Sequence, residues 1–385
     1  METTFDEIKK HYAAEVDHAA HRTLEKASEL PMSYEEITPT WLTSALGGDH
    51  AGAEVVAHRL GPVDEGTSSR RRIHLDWNDA GRAAGLPASV FCKSTMTLES
   101  RYLLGMNGGI AAETLFFRDV RDRLDIEAPR ARFAEFDPRS FNSFIVLDDM
   151  ADDVTFGDYD MNLTEEQARD QLSVLAEVHA AYHESPALET ELAAWNGWEK
   201  YFTITVEKAG FGPACARGFQ QAEEVIPARL FARADEVWPA TLRSVLEHST
   251  LPRTLIHSDP HLKNWYITAG GRMGLNDWQC SCKGHWGRDL AYAMSTALSV
   301  EDRRRWERDL IAHYVECLRA GGVTGVSVDD AWLAYRHNLF SALAWWTGTL
   351  GQPPEAPDMQ PPEASLEFIR RMTHAIDDTD ALDSF

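Results

Sequence analysis

Three side chains that carry oxygen ligands, Asp259, Asn264 and Asp277, lie around a predicted β-hairpin. The pair Gly270-Gly271 is typical of a two-residue hairpin turn. A turn centred between these glycines places Asn264 directly opposite Asp277 across the two strands. Asp259 precedes Asn264 by five residues, on the loop that leads into the hairpin, so it can face the same space. The pattern therefore predicts three hard oxygen ligands in one place, which is what Mg²⁺ requires.

These residue types fit phosphoryl transfer, a reaction that depends on positioning and on neutralisation of charge. We expect Asp259 to accept or orient the attacking hydroxyl, and Asn264 and Asp277 to hold Mg²⁺ against nucleotide phosphates. His257 is expected to brace the loop through hydrogen bonds and not to act as a base. The alternative is a hairpin with incidental polar residues, which the ordered spacing disfavours.

The first half of the chain contains two candidates for phosphate binding. Lys93 lies in an apolar predicted strand and needs an anionic partner if it points inward, and Glu113 on a predicted helix is a candidate for that partner. Gly66, Thr67 and Ser68 lie between two predicted strands. They do not form a P-loop, because Thr67 occupies the lysine position and no helix follows, but they could cover phosphates. The alternatives are a surface lysine and a plain hairpin loop.

The predicted elements divide the chain into a strand-rich half and a helical half. After a predicted amphipathic helix at 5–30, strands are expected at 54–60, 70–77, 89–93, 132–136 and 144–147, with one helix at 109–124. After residue 150 we expect helices at 164–183, 219–247, 300–320 and 329–350, interrupted by one β element at 254–277. This segregation indicates an α+β protein with two lobes that join near residues 148–150.

Three motifs together resemble the aminoglycoside phosphotransferase and choline-kinase-like superfamily, including its ecdysteroid-kinase-like relatives. They are His257-Ser-Asp259-Pro-His-Leu-Lys-Asn264, Leu275-Asn-Asp277-Trp-Gln and Gly287-Arg-Asp289-Leu-Ala. With the matching order of Lys93, Glu113 and the segment 146–150, the resemblance covers roughly residues 50–350. It implies an ATP- and Mg²⁺-dependent kinase that acts on a hydroxyl of a small molecule.

The resemblance also implies a fold and a set of residue roles. The fold is the two-lobed protein-kinase-like one: a small antiparallel sheet with one internal helix, then a larger, mainly helical lobe with an embedded catalytic hairpin. The expected divisions are an N-terminal extension at 1–50, an N-lobe at 51–150 and a C-lobe at 151–385. The implied roles are catalysis (Asp259), magnesium binding (Asn264, Asp277), an ion pair that positions phosphates (Lys93, Glu113), backbone contacts to adenine (Asp148 to Met150) and bracing of the catalytic loop (Asp289).

Three positions depart from the superfamily pattern. Ser258 replaces the glycine that commonly follows the motif histidine, Lys263 stands where a small residue is frequent, and Asn276 stands where an aliphatic residue is usual. None of the three removes an essential group.

Composition and charge disfavour some classes of partner and some cellular locations. The 385 residues carry a formal net charge of -24, which disfavours nucleic acid and anionic membranes as partners. A polar N-terminus predicts no signal peptide, and the apolar stretch near 340–350 is too short to span a bilayer. Five cysteines, an odd number, favour a reducing cytoplasm. We expect a monomer or homodimer.

Several alternatives remain open from the sequence. A protein kinase is disfavoured because only a short segment separates Asp277 from Asp289, and a nucleotide-binding pseudokinase is disfavoured by the complete set of motif residues. Cys280, Cys282 and His285 resemble part of a zinc site but lack a fourth ligand. Acceptors that resemble aminoglycosides, amino alcohols, macrolides or steroids are all compatible with the motifs.

Overall fold

The computed structural model describes residues 4–48, 50–353 and 360–385. The chain divides into two compact units. We call the first, Met1–Arg123 with Pro129–Asp152, the sheet unit, and the second, Leu124–Ala128 with Asp153–Phe385, the helical unit. The predicted α+β fold class is confirmed. Among the described residues, none of the helices combines the length and the apolar character that crossing a bilayer demands.

The sheet unit is built on five antiparallel strands in the order β1-β2-β3-β5-β4. Their residues are β1 Val55–Glu65, β2 Ser69–Trp77, β3 Ser89–Ser94, β4 Ala131–Phe136 and β5 Ser143–Asp148. Because β3 is the central strand, both of its edges are paired and its inward side chains are covered. Any polar group on that face must find a partner inside the protein.

Five helices accompany this sheet: α1 Phe5–Ala19, α2 Pro39–Leu46, α3 Asp79–Ala83, α4 Leu98–Met106 and α5 Gly109–Leu115. A π-helical turn, Phe116–Val120, follows α5. The helix predicted at 5–30 is wrong beyond residue 19. Leu24 is buried in the core of the sheet unit, together with Trp41 of α2, so the chain leaves the helix to reach that core.

The helical unit carries nine helices in its described residues. They are α6 Glu165–Tyr182, α7 Trp198–Ala209, α8 Phe211–Gln221, α9 Ala228–Phe231, α10 Ala234–His248, α11 Gly287–Ala297, α12 Val300–Ala320, α13 Val328–Leu350 and α14 Pro362–Asp378. The single helix predicted at 219–247 is wrong. The chain breaks after α8, and Pro227, which has no N–H to donate, immediately precedes α9.

Two small β elements interrupt these helices. Strands β6 Val154–Phe156, β8 Trp265–Thr268 and β9 Met273–Leu275 form one sheet, and β7 Thr254–Ile256 pairs with β10 Cys282–Gly284. Helix α11 follows β10 directly, and all of its residues are buried. The loops between β7 and β8 and between β9 and β10 are therefore held by the interior of the helical unit.

Candidate active site

The hairpin of β8 and β9 does not have the predicted register. Trp265 pairs with Leu275 and Ile267 with Met273, so the strands are shifted by one residue. The reason is the turn: it has three residues between Thr268 and Arg272, and Gly271 takes the left-handed conformation at φ 81°. The prediction that Asn264 lies directly opposite Asp277 is therefore wrong.

The corrected register brings Asn276 opposite Asn264, with the Asn276 N–H donating to the Asn264 carbonyl at 2.8 Å. Asp277 is the next residue and adopts a left-handed backbone at φ 58°. Aspartate and asparagine adopt this conformation more readily than other L-residues, because their short polar side chains can hydrogen-bond locally. The turned backbone carries Asp277 out of the strand direction at the base of the hairpin.

Asp259 lies on the loop between β7 and β8, with its side chain 17% exposed. Burial raises its pKa to about 6, and the nearby charge of Asp277 contributes to the increase. The Oδ1 atom of Asp259 is buried and has no hydrogen-bond partner. A buried carboxylate oxygen without a donor is costly, so this atom is suited to a proton, a hydroxyl or a cation supplied by a ligand.

Asn264 holds the main chain of this loop in place. Its Nδ2 atom donates to the Asp259 carbonyl at 2.8 Å and lies 3.5 Å from Asp259 Oδ2. With the amide nitrogen used in this way, the amide oxygen is the atom left for a cation. Asp277 is near enough for its charge to act on the pKa values of Asp259 and His257. An amide oxygen and two carboxylates form a donor set that fits Mg²⁺.

Asp289, in the first turn of α11, fixes the start of the same loop. Its side chain is fully buried, and its two oxygens accept the N–H groups of His257 at 2.6 Å and Ser258 at 2.8 Å. The ring of His179 on α6 also contacts Asp289 Oδ2, at 3.1 Å, and contacts the Tyr314 hydroxyl at 2.7 Å. One carboxylate thus binds two consecutive backbone donors and a side chain from another helix.

His257 is buried and has both ring nitrogens engaged. Nε2 lies 2.9 Å from the carbonyl of Asn276, and Nδ1 accepts the N–H of Asp259 at 3.3 Å. Burial lowers the pKa of His257, so the ring is neutral. These bonds link the loop to the strand end next to Asp277 and leave no ring nitrogen for a reacting proton.

Ser258 explains why glycine is common at its position in the superfamily. Its backbone is left-handed, with φ 66°. The serine offsets part of the strain because its hydroxyl donates to the Cys280 carbonyl at 2.9 Å. The departure from glycine at this position is therefore accommodated.

Sequence reasoning missed Arg288, which is fully buried beside this loop. Its Nε and Nη2 atoms donate to the Ser258 carbonyl at 3.2 and 3.0 Å. The guanidinium also lies over the rings of Trp198, Tyr292 and Trp345, at 4.4 to 5.1 Å from their centroids. The available signal was an arginine next to Asp289 in the third motif, but two of its aromatic partners, Trp198 and Trp345, lie far away in the sequence.

In the sheet unit, Lys93 on β3 meets Glu113 on α5. The Nζ and Oε1 atoms are 2.8 Å apart, and the two side chains are 9% and 8% exposed. Strand β3 is central, so Lys93 is buried within the unit, and α5 supplies the carboxylate. Such a buried pair is costly to assemble, since both charges are desolvated.

The loop of Gly66, Thr67 and Ser68 connects β1 and β2. Gly66 is exposed and its N–H donates to the Ser68 carbonyl at 3.1 Å, whereas the Ser68 side chain is buried. At the end of β5, the N–H of Asp148 donates to the Arg130 carbonyl at 3.0 Å and its carboxylate pairs with Arg132. Of the segment predicted to contact adenine, the N–H of Asp148 is thus already used.

The remaining candidates lie in the helical unit. Lys263 donates to Gln360 at 2.8 Å and lies 3.9 Å from Asp158. Among the residues that the structure describes, no group of three or more His, Cys, Asp or Glu side chains is arranged to hold a metal ion. Cys282 is buried in β10. The Nδ1 atom of His285 lies 3.3 Å from the Nδ1 atom of His248.

Comparison with known proteins gives a family and a fold. The model of the phosphotransferase enzyme family, APH, matches residues 117–322, more than half of the chain. A search of curated proteins finds no match. A structure from Ralstonia eutropha, described as a candidate aminoglycoside phosphotransferase, is similar with a TM-score of 0.53 at 15% identity, over 89% of this chain and 97% of that one. This likeness supports the two-lobed kinase-like fold.

Two further structures align over similar lengths. The choline kinase of Streptococcus pneumoniae has a TM-score of 0.45 at 14% identity, over 86% of this chain and 94% of that one. The ethanolamine kinase of Plasmodium vivax has a TM-score of 0.44 at 11% identity, over 84% and 81% of the two chains.

Proposed function

Since the chain belongs to the phosphotransferase enzyme family, we propose that it is a kinase that transfers the γ-phosphoryl group of ATP, with Mg²⁺, to a hydroxyl of a small molecule. The observation that carries this proposal is the state of Asp259. Its carboxylate has a raised pKa and a buried oxygen without a partner, beside Asn264 and the charge of Asp277. That combination suits a group that must receive a hydroxyl proton near a cation.

In this proposal, the site residues of the helical unit have distinct roles. Asp259 accepts the hydrogen bond of the attacking hydroxyl, orients its oxygen and takes up its proton. The amide oxygen of Asn264 and the carboxylate of Asp277 would hold Mg²⁺, which neutralises charge on the phosphate oxygens when bound. Asp289 and His257 are positioning residues, because their hydrogen bonds fix the backbone on either side of Asp259.

The sheet unit would supply the nucleotide-binding groups, mainly from residues 51–150. Lys93, held by Glu113, donates to phosphate oxygens, and the loop of exposed Gly66 and half-buried Thr67 covers them. Adenine recognition falls to Met150, because the N–H of Asp148 is used within the unit. Residues 151–385 would supply the catalytic and acceptor-binding groups.

A small acceptor is favoured over a peptide by the segment that follows Asp277. In a protein kinase this segment forms an exposed platform for the substrate. Here it runs through β10 directly into α11, and residues 281–298 are all buried. Acceptors that resemble aminoglycosides, amino alcohols, macrolides or steroids form the panel to test.

None of the five cysteines is paired in a disulfide, which fits a reducing cytoplasm.

The test is incubation of the full chain with ATP, Mg²⁺ and this panel, with mass spectrometry to detect acceptors that gain one phosphate. We expect transfer to at least one alcohol, and loss of that transfer in Asp259→Asn. This substitution keeps the shape of the side chain but removes its basic oxygen. Asp309→Asn, on the exposed face of α12, is the matched control and should retain full activity.

Two results would contradict the proposal. One is nucleotide binding without transfer to any acceptor, which indicates a binding module. The other is transfer that survives Asp259→Asn at the level of Asp309→Asn, which would show that Asp259 takes no part in the reaction.

A further inference from the structure

A large cavity lies within the sheet unit, between α1, the segment after it and the end of β4. Its volume is about 980 Å³, and residues from His11 on α1 to Asn142 before β5 line it. Drug-sized ligands occupy pockets of about 300–1,000 Å³, so the space is large enough for an organic molecule and far larger than one ion needs. Neither Lys93, Glu113 nor the loop at 66–68 contributes to its lining.

Asn142 in this lining is buried but only partly satisfied. The residue is 2% exposed, and its Nδ2 atom donates to the Pro31 carbonyl at 3.3 Å. Its Oδ1 atom has no hydrogen-bond partner. An amide oxygen buried without a donor costs about 1–3 kcal/mol, which a ligand with an N–H or O–H group would recover.

The carboxylates of the lining show which charge a ligand would carry. Three of the four are paired with arginines at 2.5 to 3.3 Å, namely Glu15 with Arg101, Glu135 with Arg118, and Asp137 with Arg139. Glu29 instead accepts the backbone N–H groups of Lys26 and Glu25, at 2.9 and 3.2 Å. No basic side chain in the described residues forms an ion pair with it.

The N–H donated by Lys26 lowers the pKa of Glu29, so its carboxylate is ionised at neutral pH. Neither arginine of the lining forms an ion pair with Glu29: Arg22 pairs with Glu36 at 3.1 Å, and Arg139 pairs with Asp137. The cavity therefore offers one negative charge and one free acceptor to a ligand.

Four large apolar side chains lie among the polar residues of the lining, which include His11 and His18. Leu30, Met32, Phe133 and Phe136 contribute aliphatic and aromatic surface, and an apolar body buried against them gains about 25 cal/mol per Å². A ligand that satisfies all of these features has a positively charged hydrogen-bond donor at one end and an apolar body at the other.

We propose that this cavity is a second binding site, separate from the catalytic residues, for a protonated organic amine that carries an apolar body. Glu29 receives the ammonium group, Asn142 Oδ1 accepts one of its hydrogens, and the apolar side chains cover the body. The site does not depend on the proposed kinase activity, since none of the residues proposed to bind nucleotide or to act in catalysis lines the cavity.

The experiment compares two probes that share an indole ring, tryptamine and indole-3-acetate, by isothermal titration calorimetry on the full chain. One carries an ammonium group and the other a carboxylate. We expect tryptamine to bind at least about tenfold more tightly, since tenfold in affinity is about 1.4 kcal/mol and one ion pair accounts for it. Glu29→Gln keeps the hydrogen bonds to the backbone and should remove most of this preference.

Ala14→Trp locates the site. The indole side chain would occupy part of the cavity from α1 and should weaken tryptamine binding. Ala13→Trp, at the exposed neighbour outside the lining, is the matched control and should bind as the wild type does. The proposal is overturned if tryptamine does not bind at millimolar concentration, if both probes bind equally, or if Ala14→Trp binds tryptamine undiminished.

Discussion

Replacing Asp289 with asparagine tests how the catalytic loop is held. The carboxylate accepts three hydrogen bonds, from the backbone of His257 and Ser258 and from the ring of His179. Asparagine has one oxygen and one NH₂ group, so at least one buried donor must lose its acceptor and face another donor. Hydrogen bonds to a charged group contribute about 1.5–3 kcal/mol each. We therefore expect Asp289→Asn to lower the free energy of unfolding by about 2–4 kcal/mol.

The same substitution should reduce kcat more than it changes the KM for ATP. The loop backbone around Asp259 loses its anchor, and a displacement of about 1 Å can cost roughly a hundredfold in rate. Urea denaturation followed by tryptophan fluorescence gives the stability, and coupled release of ADP gives kcat and KM. Asp309→Asn is the control for the change in charge.

The reasoning is refuted if the free energy of unfolding of Asp289→Asn lies within about 0.5 kcal/mol of the wild-type value, since ordinary surface substitutions have effects of this size. Should the variant fail to fold, Tyr314→Phe retains the test. It removes only the 2.7 Å contact with His179, so it should reduce kcat less while leaving the KM for ATP unchanged. Unaltered kcat in Tyr314→Phe would show that His179 does not help to position Asp289.

Three further predictions follow from buried groups. Glu113→Leu removes the carboxylate that lies 2.8 Å from the Lys93 ammonium and should cost about 3–5 kcal/mol in urea denaturation, most of which the double variant with Lys93→Met should restore. A single variant as stable as the wild type would count against the pair. Burial lowers the pKa of His248 from 6.5 to about 4, so the histidine is protonated more readily in the unfolded chain than in the folded one. The folded protein should therefore lose about 3 kcal/mol of stability as the pH falls from about 6.5 to about 4. His248→Asn should show a weaker loss over that range, and equal losses would exclude this histidine as the cause. At the left-handed Ser258, the Gly variant should be more stable than the Ala variant by about 1 kcal/mol in thermal unfolding, and the reverse order would argue against backbone strain.

Local signals in the sequence predicted the elements whose ends they determine. Thr164 and Gln167 satisfy each other's backbone N–H groups at the start of α6, so the helix begins where the capping box predicts. Thr38 caps α2 by accepting the N–H of Trp41, with Pro39 in the first turn. These bonds join residues three apart, and no distant part of the chain is needed to explain them.

The predictions that failed depended on backbone geometry that residue types do not determine. Gly270-Gly271 correctly marked a hairpin, but only the left-handed Gly271 in a three-residue loop gives its register. A shift of one residue exchanges the partner of Asn264 from Asp277 to Asn276. The motif remained informative, because both residues still lie at the base of the same hairpin.

The sequence alone did not predict which distant residues contact the site. His179 contacts Asp289 across 110 positions of the chain. Arg288 stacks on Trp198 and Trp345, which lie on separate helices. The Glu29 and Asn142 of the cavity are likewise brought together only by the folding of the sheet unit.

The central claim is that Asn264 and Asp277 share one divalent cation next to Asp259. The most direct measurement is an anomalous difference map from crystals grown with ADP and Mn²⁺, which replaces Mg²⁺ and scatters anomalously. The account predicts a peak about 2.0–2.2 Å from the amide oxygen of Asn264 and from the carboxylate of Asp277. A map that shows bound ADP but a Mn²⁺ peak beyond coordination distance of both Asn264 and Asp277 would contradict the account.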